Sequence, residues 1–127
     1  MAEKVRAAYQ RRAVRDVYDL YQFHQMPFDR EMVRTLVVLK LWSANDTFDS
    51  ERFFTGLGSE RYDWSDLGRL VRRSRRPETG MVVAGCLDGY GFLRNLSPDE
   101  VELAEDPHRR LQDLYERIVQ GLRRATR

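Results

Sequence analysis

The sequence predicts an all-α fold, a compact helical bundle of about five to seven helices in one domain spanning residues 1–127. In most segments the apolar residues recur at the spacing of one buried helix face. Only 4 prolines and 8 glycines interrupt the chain, and it contains no internal repeat or low-complexity tract. A hydrophobic fraction of 42% beside a charged fraction of 33% is enough to bury one core, so a wholly disordered chain is not expected.

The N-terminal segment, about residues 3–24, has the pattern of an amphipathic helix. Its apolar or small side chains recur on one face, namely Ala13, Val14, Val17, Leu20 and Tyr21. The opposite side carries charged residues, namely Lys4, Arg11, Arg15 and Asp19. Met26-Pro27 closes the segment, because the residue before a proline disfavours helical backbone.

Three further helices are predicted in the middle of the chain. Asp29 is a candidate N-cap for a helix over about residues 30–44, the most hydrophobic segment and the predicted centre of the core. A short helix is predicted over Phe48–Phe54, capped by Asp49 or Ser50. Another is predicted to start near Tyr62 and to end at about residue 73.

The C-terminal third contains one ambiguous stretch and two clear helix starts. In Met81–Leu96 the apolar residues are interleaved with glycines, so both a helix and a hairpin fit the pattern. Ser97 precedes Pro98 and Glu100 at the spacing of a capping box, which predicts a helix start. Asp106 with its following proline is predicted to open the last helix, over about residues 107–125.

Composition excludes several classes of protein. The longest apolar runs, such as Leu36–Leu39, are far shorter than the roughly 20 residues that a transmembrane helix needs, so no membrane association is expected. The N-terminus lacks the hydrophobic stretch of a secretory signal, and a cytoplasmic location is therefore expected. The single cysteine, Cys86, cannot form an internal disulfide, and no His/Cys cluster suggests a zinc site.

The basic residues are strongly biased towards arginine. Of 22 basic side chains, only Lys4 and Lys40 are lysines, and the formal net charge of +2 is too small to indicate a nucleic-acid partner by itself. The densest basic run is Arg72–Arg76, which fits either a solvated helix end or a phosphate-binding loop. With the tail residues Arg123 and Arg124, it supports an alternative function: a non-enzymatic helical module that binds nucleic acid or a protein partner.

One set of spacings near the N-terminus carries more information than the rest. The residues are Lys4, Ala7, Arg11, the pair Arg15-Asp16, and the pair Asp19-Leu20. They resemble the C-terminal signature of the AbiEii/AbiGii-type nucleotidyltransferase toxins, in which Lys, Ala and Arg precede Arg-Asp-x-x-Asp-Leu. The resemblance implies that Lys4 and Asp19 are catalytic and that Arg11, Arg15 and Asp16 support nucleotide binding.

The residue types suit that chemistry. Nucleotidyl transfer moves a phosphoryl group with several negative charges, so catalysis depends mainly on positioning and on neutralisation by cations. A lysine offers a compact charge to a triphosphate, and an arginine offers a planar fork. An aspartate can hold a metal or orient the acceptor hydroxyl. The resemblance further implies a nucleoside triphosphate, Mg²⁺, an acceptor such as RNA, and a cognate antitoxin in a toxin–antitoxin or phage-defence setting.

The spacing imposes a geometric condition. Lys4 and Asp19 are 15 residues apart, so one continuous helix would separate them by about 22 Å, too far to share a nucleotide. A shared site therefore requires a helix break near Arg11–Val14. The competing interpretation is an ordinary amphipathic helix in which Arg15 and Asp19 pair as i, i+4 neighbours on a solvated face.

The family's catalytic core has no counterpart in the sequence. That core is an upstream mixed α/β domain with a Gly-Ser turn followed by a pair of metal-binding carboxylates. Gly58-Ser59 is followed by helix-like sequence rather than by such a pair on a strand. The chain is therefore interpreted as the C-terminal helical half of such an enzyme, whether as a cloned fragment, a truncated gene product or one part of a split protein. Alone it is expected to be inactive and to hold no cofactor.

Overall fold

A computed structural model describes residues 1–11, 13–58, 62, 64–66 and 78–125. Within these residues the chain is helical and contains no strand, which confirms the predicted all-α class. Two 3₁₀ turns, Trp64–Asp66 and Gly91–Arg94, lie between the longer helices. The α-helices are α1 (Ala2–Arg11), α2 (Val14–Phe23), α3 (Arg30–Ser43), α4 (Ser50–Leu57), α5 (Thr79–Gly89), α6 (Pro98–Ala104) and α7 (Gln112–Ala125).

The N-terminal segment is two helices rather than one. α1 ends at Arg11 and α2 begins at Val14, and Ala13 between them has an extended backbone with φ −89° and ψ 127°. The break predicted near Arg11–Val14 is thus confirmed. The two helices pack against each other, so the chain reverses direction instead of continuing along one axis.

Helix caps predicted from the sequence are present. The Asp29 side chain accepts a hydrogen bond from the Met32 backbone N–H and caps α3. Asp49, rather than Ser50, caps α4, which runs to Leu57 and so starts later and ends later than predicted. At α6, Ser97 and Glu100 form the predicted capping box. Such caps satisfy backbone donors that a helix N-terminus leaves free.

Three other predictions change or lie outside the described residues. Met81–Leu96, left open between helix and hairpin, contains most of α5, from its third residue onwards, followed by a 3₁₀ turn. The last helix begins at Gln112, so the predicted start at residue 107 is wrong. Of the helix predicted from Tyr62, the described part is the 3₁₀ turn at Trp64–Asp66, and the remainder lies outside the described residues.

The late start of α7 has a physical cause in Asp106. Its carboxylate accepts hydrogen bonds from the Trp42 indole N–H at 3.0 Å and from the backbone N–H of Leu111 at 2.8 Å. Arg109 follows with a positive φ of 53°, and its guanidinium lies 4.8 Å from the Trp42 ring centroid. This turn therefore folds back onto the end of α3, and regular helix resumes only after it.

The core is centred on α3, as the hydrophobicity predicted. α3 packs against α1 and α6, and α2 packs against α1 and α5. The largest fully buried side chains come from most of the helices and from the turn after α5: Trp42, Tyr90, Phe53, Leu20, Leu41, Leu57, Leu93 and Leu103. At about 25 cal/mol per Å² of apolar surface, such burial is the main stabilising contribution.

A buried polar network ties α3 to α6. The Arg34 guanidinium donates to Glu100 at 2.6 and 3.3 Å, and the Thr35 hydroxyl donates to the same carboxylate at 2.7 Å. Burial raises the pKa of Glu100, but the hydrogen bonds from Arg34, Thr35 and the Ser97 backbone outweigh it and lower the pKa below the ordinary value. Glu100 therefore stays ionised in the core.

Candidate functional site

Lys4 and Asp19 meet across the helix break. The Lys4 Nζ lies 2.8 Å from Asp19 Oδ2 and 3.5 Å from Asp16 Oδ1. A continuous helix would have placed residues 4 and 19 about 22 Å apart. The reversal at Ala13 therefore supplies the condition that a shared site requires.

Asp16 lies beneath this pair and connects both helices. Its side chain is 3% exposed, and Oδ1 accepts from Arg11 Nη2 at 3.2 Å as well as from Lys4. Its second oxygen, Oδ2, is buried without a hydrogen-bond partner. A buried carboxylate needs such cationic partners, because an isolated ion loses its hydration without compensation. Asp16 thus fixes the side chains of α1 relative to α2.

Local helix geometry explains why these side chains converge. Lys4 and Arg11 are seven residues apart on α1, which is about two turns and so one face. Asp16 and Asp19 are three residues apart on α2 and also share a face. Small buried residues of α1, including Ala8, allow α2 to pack closely. The two charged faces consequently adjoin along the α1–α2 contact.

The structure does not contain the Arg15–Asp19 pair that a simple amphipathic helix would form. Asp19 pairs with Lys4 of the neighbouring helix, and Arg15 forms no ion pair with any residue that the structure describes. Arg15 is instead exposed on the same side of α2 as Asp19. Its charge is therefore available to an anion at this surface.

The electrostatics keep Lys4 protonated. The hydrogen bond from its ammonium to Asp19 is the largest influence and raises the pKa of Lys4, while partial burial acts in the opposite direction. The Lys4 and Asp19 side chains are 32% and 30% exposed, so both can be reached from solvent. As formed by the described residues, the site is an open, charged surface above a buried aspartate.

The carboxylates of the site suit a metal ion that is also held by substrate phosphates, rather than one held by protein ligands alone. Among the described residues no group of three His, Cys, Asp or Glu side chains is placed to hold a metal ion. Mg²⁺, however, is commonly held by one or two carboxylates together with substrate phosphates and water. Asp19, whose side chain is 30% exposed, can supply that smaller share, whereas the unpartnered oxygen of Asp16 is buried behind it.

Other predicted surfaces are only partly described. Arg123 and Arg124 are exposed in the last turn of α7, whereas Arg72–Arg76 lie outside the described residues. The Lys40 Nζ of α3 lies 3.5 Å from Oε2 of Glu3, the residue that precedes Lys4 on α1. The sequence reasoning did not predict this contact, although a lysine at the end of an apolar stripe was a signal for it. None of the described helices is long and apolar enough to cross a membrane.

Comparison with known proteins identifies the family. No curated protein and no solved structure matches the chain. The family described as "Nucleotidyl transferase AbiEii toxin, Type IV TA system" matches residues 1–125, which include all seven described α-helices. The suspected resemblance is thereby confirmed, and it extends well beyond the first 20 residues that carried it. The chain belongs to the AbiEii nucleotidyltransferase toxin family.

Proposed function

We propose that this chain supplies the lysine and the aspartate of the nucleotide site in a toxin–antitoxin nucleotidyltransferase. The observation that carries the proposal is the 2.8 Å contact of Lys4 with Asp19 across the helix break. Residues at the family's motif positions, separated in sequence, share one solvent-accessible surface.

Each side chain has a role that follows from its place. Lys4 contributes a mobile point charge for the triphosphate, and its contacts with Asp16 and Asp19 hold it at the surface until a phosphate competes for it. Arg11 and Arg15 add exposed guanidinium forks for further phosphate oxygens. Asp16 is a positioning residue, because it touches Lys4 and Arg11 from below and is shielded from solvent.

Asp19 is the described carboxylate best placed to reach a metal–phosphate complex or an acceptor hydroxyl. Bound Mg²⁺ would neutralise charge on the phosphates during transfer. Asp19 itself would orient that complex, and its release from Lys4 would free the ammonium for the nucleotide. The residues present fit this share of a metal site and not a complete one.

The wider proposal follows the family resemblance. Transfer would require a nucleotidyltransferase core with its Gly-Ser turn and paired carboxylates, joined to this domain or supplied separately. The acceptor would be RNA, a cognate antitoxin would restrain the activity in the cytoplasm, and phage defence would be the biological setting.

A transfer assay with matched variants tests the catalytic assignment. The chain is joined to an AbiEii-type core, and nucleotide transfer to RNA is measured for Lys4→Met and Asp19→Asn. We expect each to lower the rate by about 100-fold or more, the scale for losing one group that stabilises the transition state. Lys40→Met and the exposed Asp88→Asn are the controls and should stay within about twofold.

The outcome separates catalysis from mere folding. Circular dichroism of each variant must show unchanged helicity for its rate to count. Full transfer activity in both Lys4→Met and Asp19→Asn would reject the assignment, because the site would then work without either group.

The alternative function is supported by the exposed arginines of α7. Arg123 and Arg124 lie in its last turn, where a basic module could contact nucleic acid or an acidic protein. Salt-dependent RNA binding by the chain without a core, lost in Arg123→Ala/Arg124→Ala, would favour this function. Binding that persists unchanged in this double variant would exclude the α7 tail as its basis.

A further inference from the structure

A groove of about 510 Å³ separates α7 from α1 and α3. Its apolar floor comes from two helices: Leu36 and Leu39 of α3, and Tyr115, Val119 and Leu122 of α7. We call this the α3–α7 groove. None of the residues Lys4, Asp16 and Asp19 lines it.

The floor is an amphipathic stripe that the fold leaves partly uncovered. α7 buries only Leu114 fully, whereas its other apolar residues on that face, including Tyr115, Val119 and Leu122, are half-buried. From residue 115 to residue 122 the stripe extends about 10 Å, or two helical turns. Half-covered apolar residues at this spacing are typical of a groove that receives a second helix.

The rim of the groove is predominantly basic. Arg6, Lys40 and Arg123 surround the floor, and Glu3 is the one acidic residue among the lining side chains that the structure describes. Glu3 pairs with Arg6 and lies 3.5 Å from Lys40, so it balances part of this charge. The described lining side chains together carry three formal positive charges and one negative charge. A partner that approaches the floor therefore gains from acidic flanks.

The same features argue against other occupants. A second copy seated symmetrically would place basic rim against basic rim, because an isologous contact uses the same patch twice. Single-stranded nucleic acid is usually bound by aromatic side chains on which its bases stack, whereas the floor of this groove is mostly aliphatic. Its one aromatic ring, Tyr115, already stacks on Trp42 with centroids 4.5 Å apart.

We propose that the α3–α7 groove binds an acidic amphipathic helix of a partner protein, with about two turns of apolar side chains on the floor and carboxylates against Arg6, Lys40 and Arg123. Because Glu3, which lines the groove, directly precedes Lys4 on α1, the bound helix would lie beside Lys4 and Asp19 without covering them. The proposal does not depend on the catalytic roles of Lys4 and Asp19.

A designed peptide serves as the probe. It is a fluorescent helical peptide of about four turns, with leucines at positions i, i+3 and i+7 and glutamates on both flanks. Its control has every glutamate replaced by lysine. We expect saturable binding of the acidic peptide, weakened by salt, and binding of the basic peptide at least about tenfold weaker.

Variants locate the contact. Val119→Gln and Arg123→Glu should each weaken the acidic peptide by about tenfold, while the exposed Arg117→Glu, elsewhere on α7, stays within about twofold. Arg123→Glu should also strengthen the basic peptide, a charge-swap result that loss of folding cannot produce.

Four results would overturn the proposal. These are no binding of the acidic peptide, equal binding of both peptides, displacement of the acidic peptide by single-stranded RNA, or a dimer in sedimentation that Val119→Gln dissociates. The last two would assign the groove to nucleic acid and to a second copy, respectively. Lys4→Met should lower nucleotide transfer but leave the affinity for the acidic peptide unchanged. The two proposals can therefore fail independently.

Discussion

Gly89→Ala is expected to loosen the helix that carries both aspartates of the site. α2 packs against α5 through Gly85 and Gly89, which face Tyr21 and His24 of the α2 C-terminal turn. A methyl group built at Gly89 would lie 2.7 Å from His24 Cγ and 2.8 Å from its Cβ. A change of rotamer moves Cγ but leaves Cβ in place, so it cannot relieve the contact with Cβ and the helices must move apart.

The magnitude follows from two opposing effects. Overpacking of a well-packed contact lowers the free energy of unfolding by about 1–3 kcal/mol. Replacing glycine by alanine inside a helix raises it by at most about 1 kcal/mol, because alanine has the higher helix propensity. Gly89 is the last residue of α5, so the stabilisation from helix propensity is small at this position. We expect a net loss of about 1–2 kcal/mol in the free energy of unfolding, or a fall in Tm of roughly 3–8 °C for a domain of this size.

Urea unfolding followed by circular dichroism measures the effect. Gly121→Ala is the matched control: Gly121 lies inside α7 with nothing within 4 Å of an added methyl group, so this variant should be more stable than the wild type. In the double variant Gly89→Ala/His24→Ala, the loss of His24 Cγ and Nδ1 relieves part of the clash, so the destabilisation should be smaller than the sum of the single losses. A Gly89→Ala protein as stable as Gly121→Ala would refute the α2–α5 contact described above.

Three further outcomes are expected. Glu100→Gln should lower the free energy of unfolding near neutral pH by about 2–4 kcal/mol, against a negligible change for the exposed Glu102→Gln. Because hydrogen bonds lower the pKa of Glu100, its contribution is complete above about pH 5 and is lost as the pH falls through the native pKa, so acid unfolding curves of the two proteins should converge. Asp16→Asn should lower the free energy of unfolding by about 1–2 kcal/mol and speed amide hydrogen exchange in α1, since Arg11 and Lys4 lose their shared carboxylate. Unchanged exchange would contradict the role of Asp16 in fixing α1 relative to α2. Burial raises the pKa of Cys86 to about 12, so an aromatic disulfide reagent should modify this thiol only after unfolding. Rapid modification of the native protein would contradict the burial of Cys86.

The sequence predicted local structure where the signal was local. Caps such as Asp29 and Ser97 announce helix starts because their side chains bond to backbone groups only a few residues away. The break near Ala13 is different, since neither glycine nor proline marks it. It was predictable only from the requirement that Lys4 and Asp19 share a site.

Contacts distant in sequence account for what was missed. Asp106 looked like a cap for the residues that follow it, but Trp42, 64 positions earlier, takes part of its hydrogen-bonding capacity and delays α7. Arg34 and Glu100 pair over 66 positions, which no periodicity reveals. For the site, the catalytic and nucleotide-binding roles stay predictions from the motif. The pairing of Asp19 with Lys4 instead of Arg15 could not be predicted, because it required the packing of α1 on α2.

The meeting of Lys4 and Asp19, on which the proposed nucleotide site depends, can be tested directly. Because the chain has only two lysines, carbon-13 labelling of lysine gives two side-chain signals, one from Lys4 and one from Lys40. In a pH titration the Lys4 pKa should lie above 10.5 in the wild type and fall in Asp19→Asn. An identical Lys4 titration in the two proteins would show that the residues do not meet, and the shared site would be contradicted.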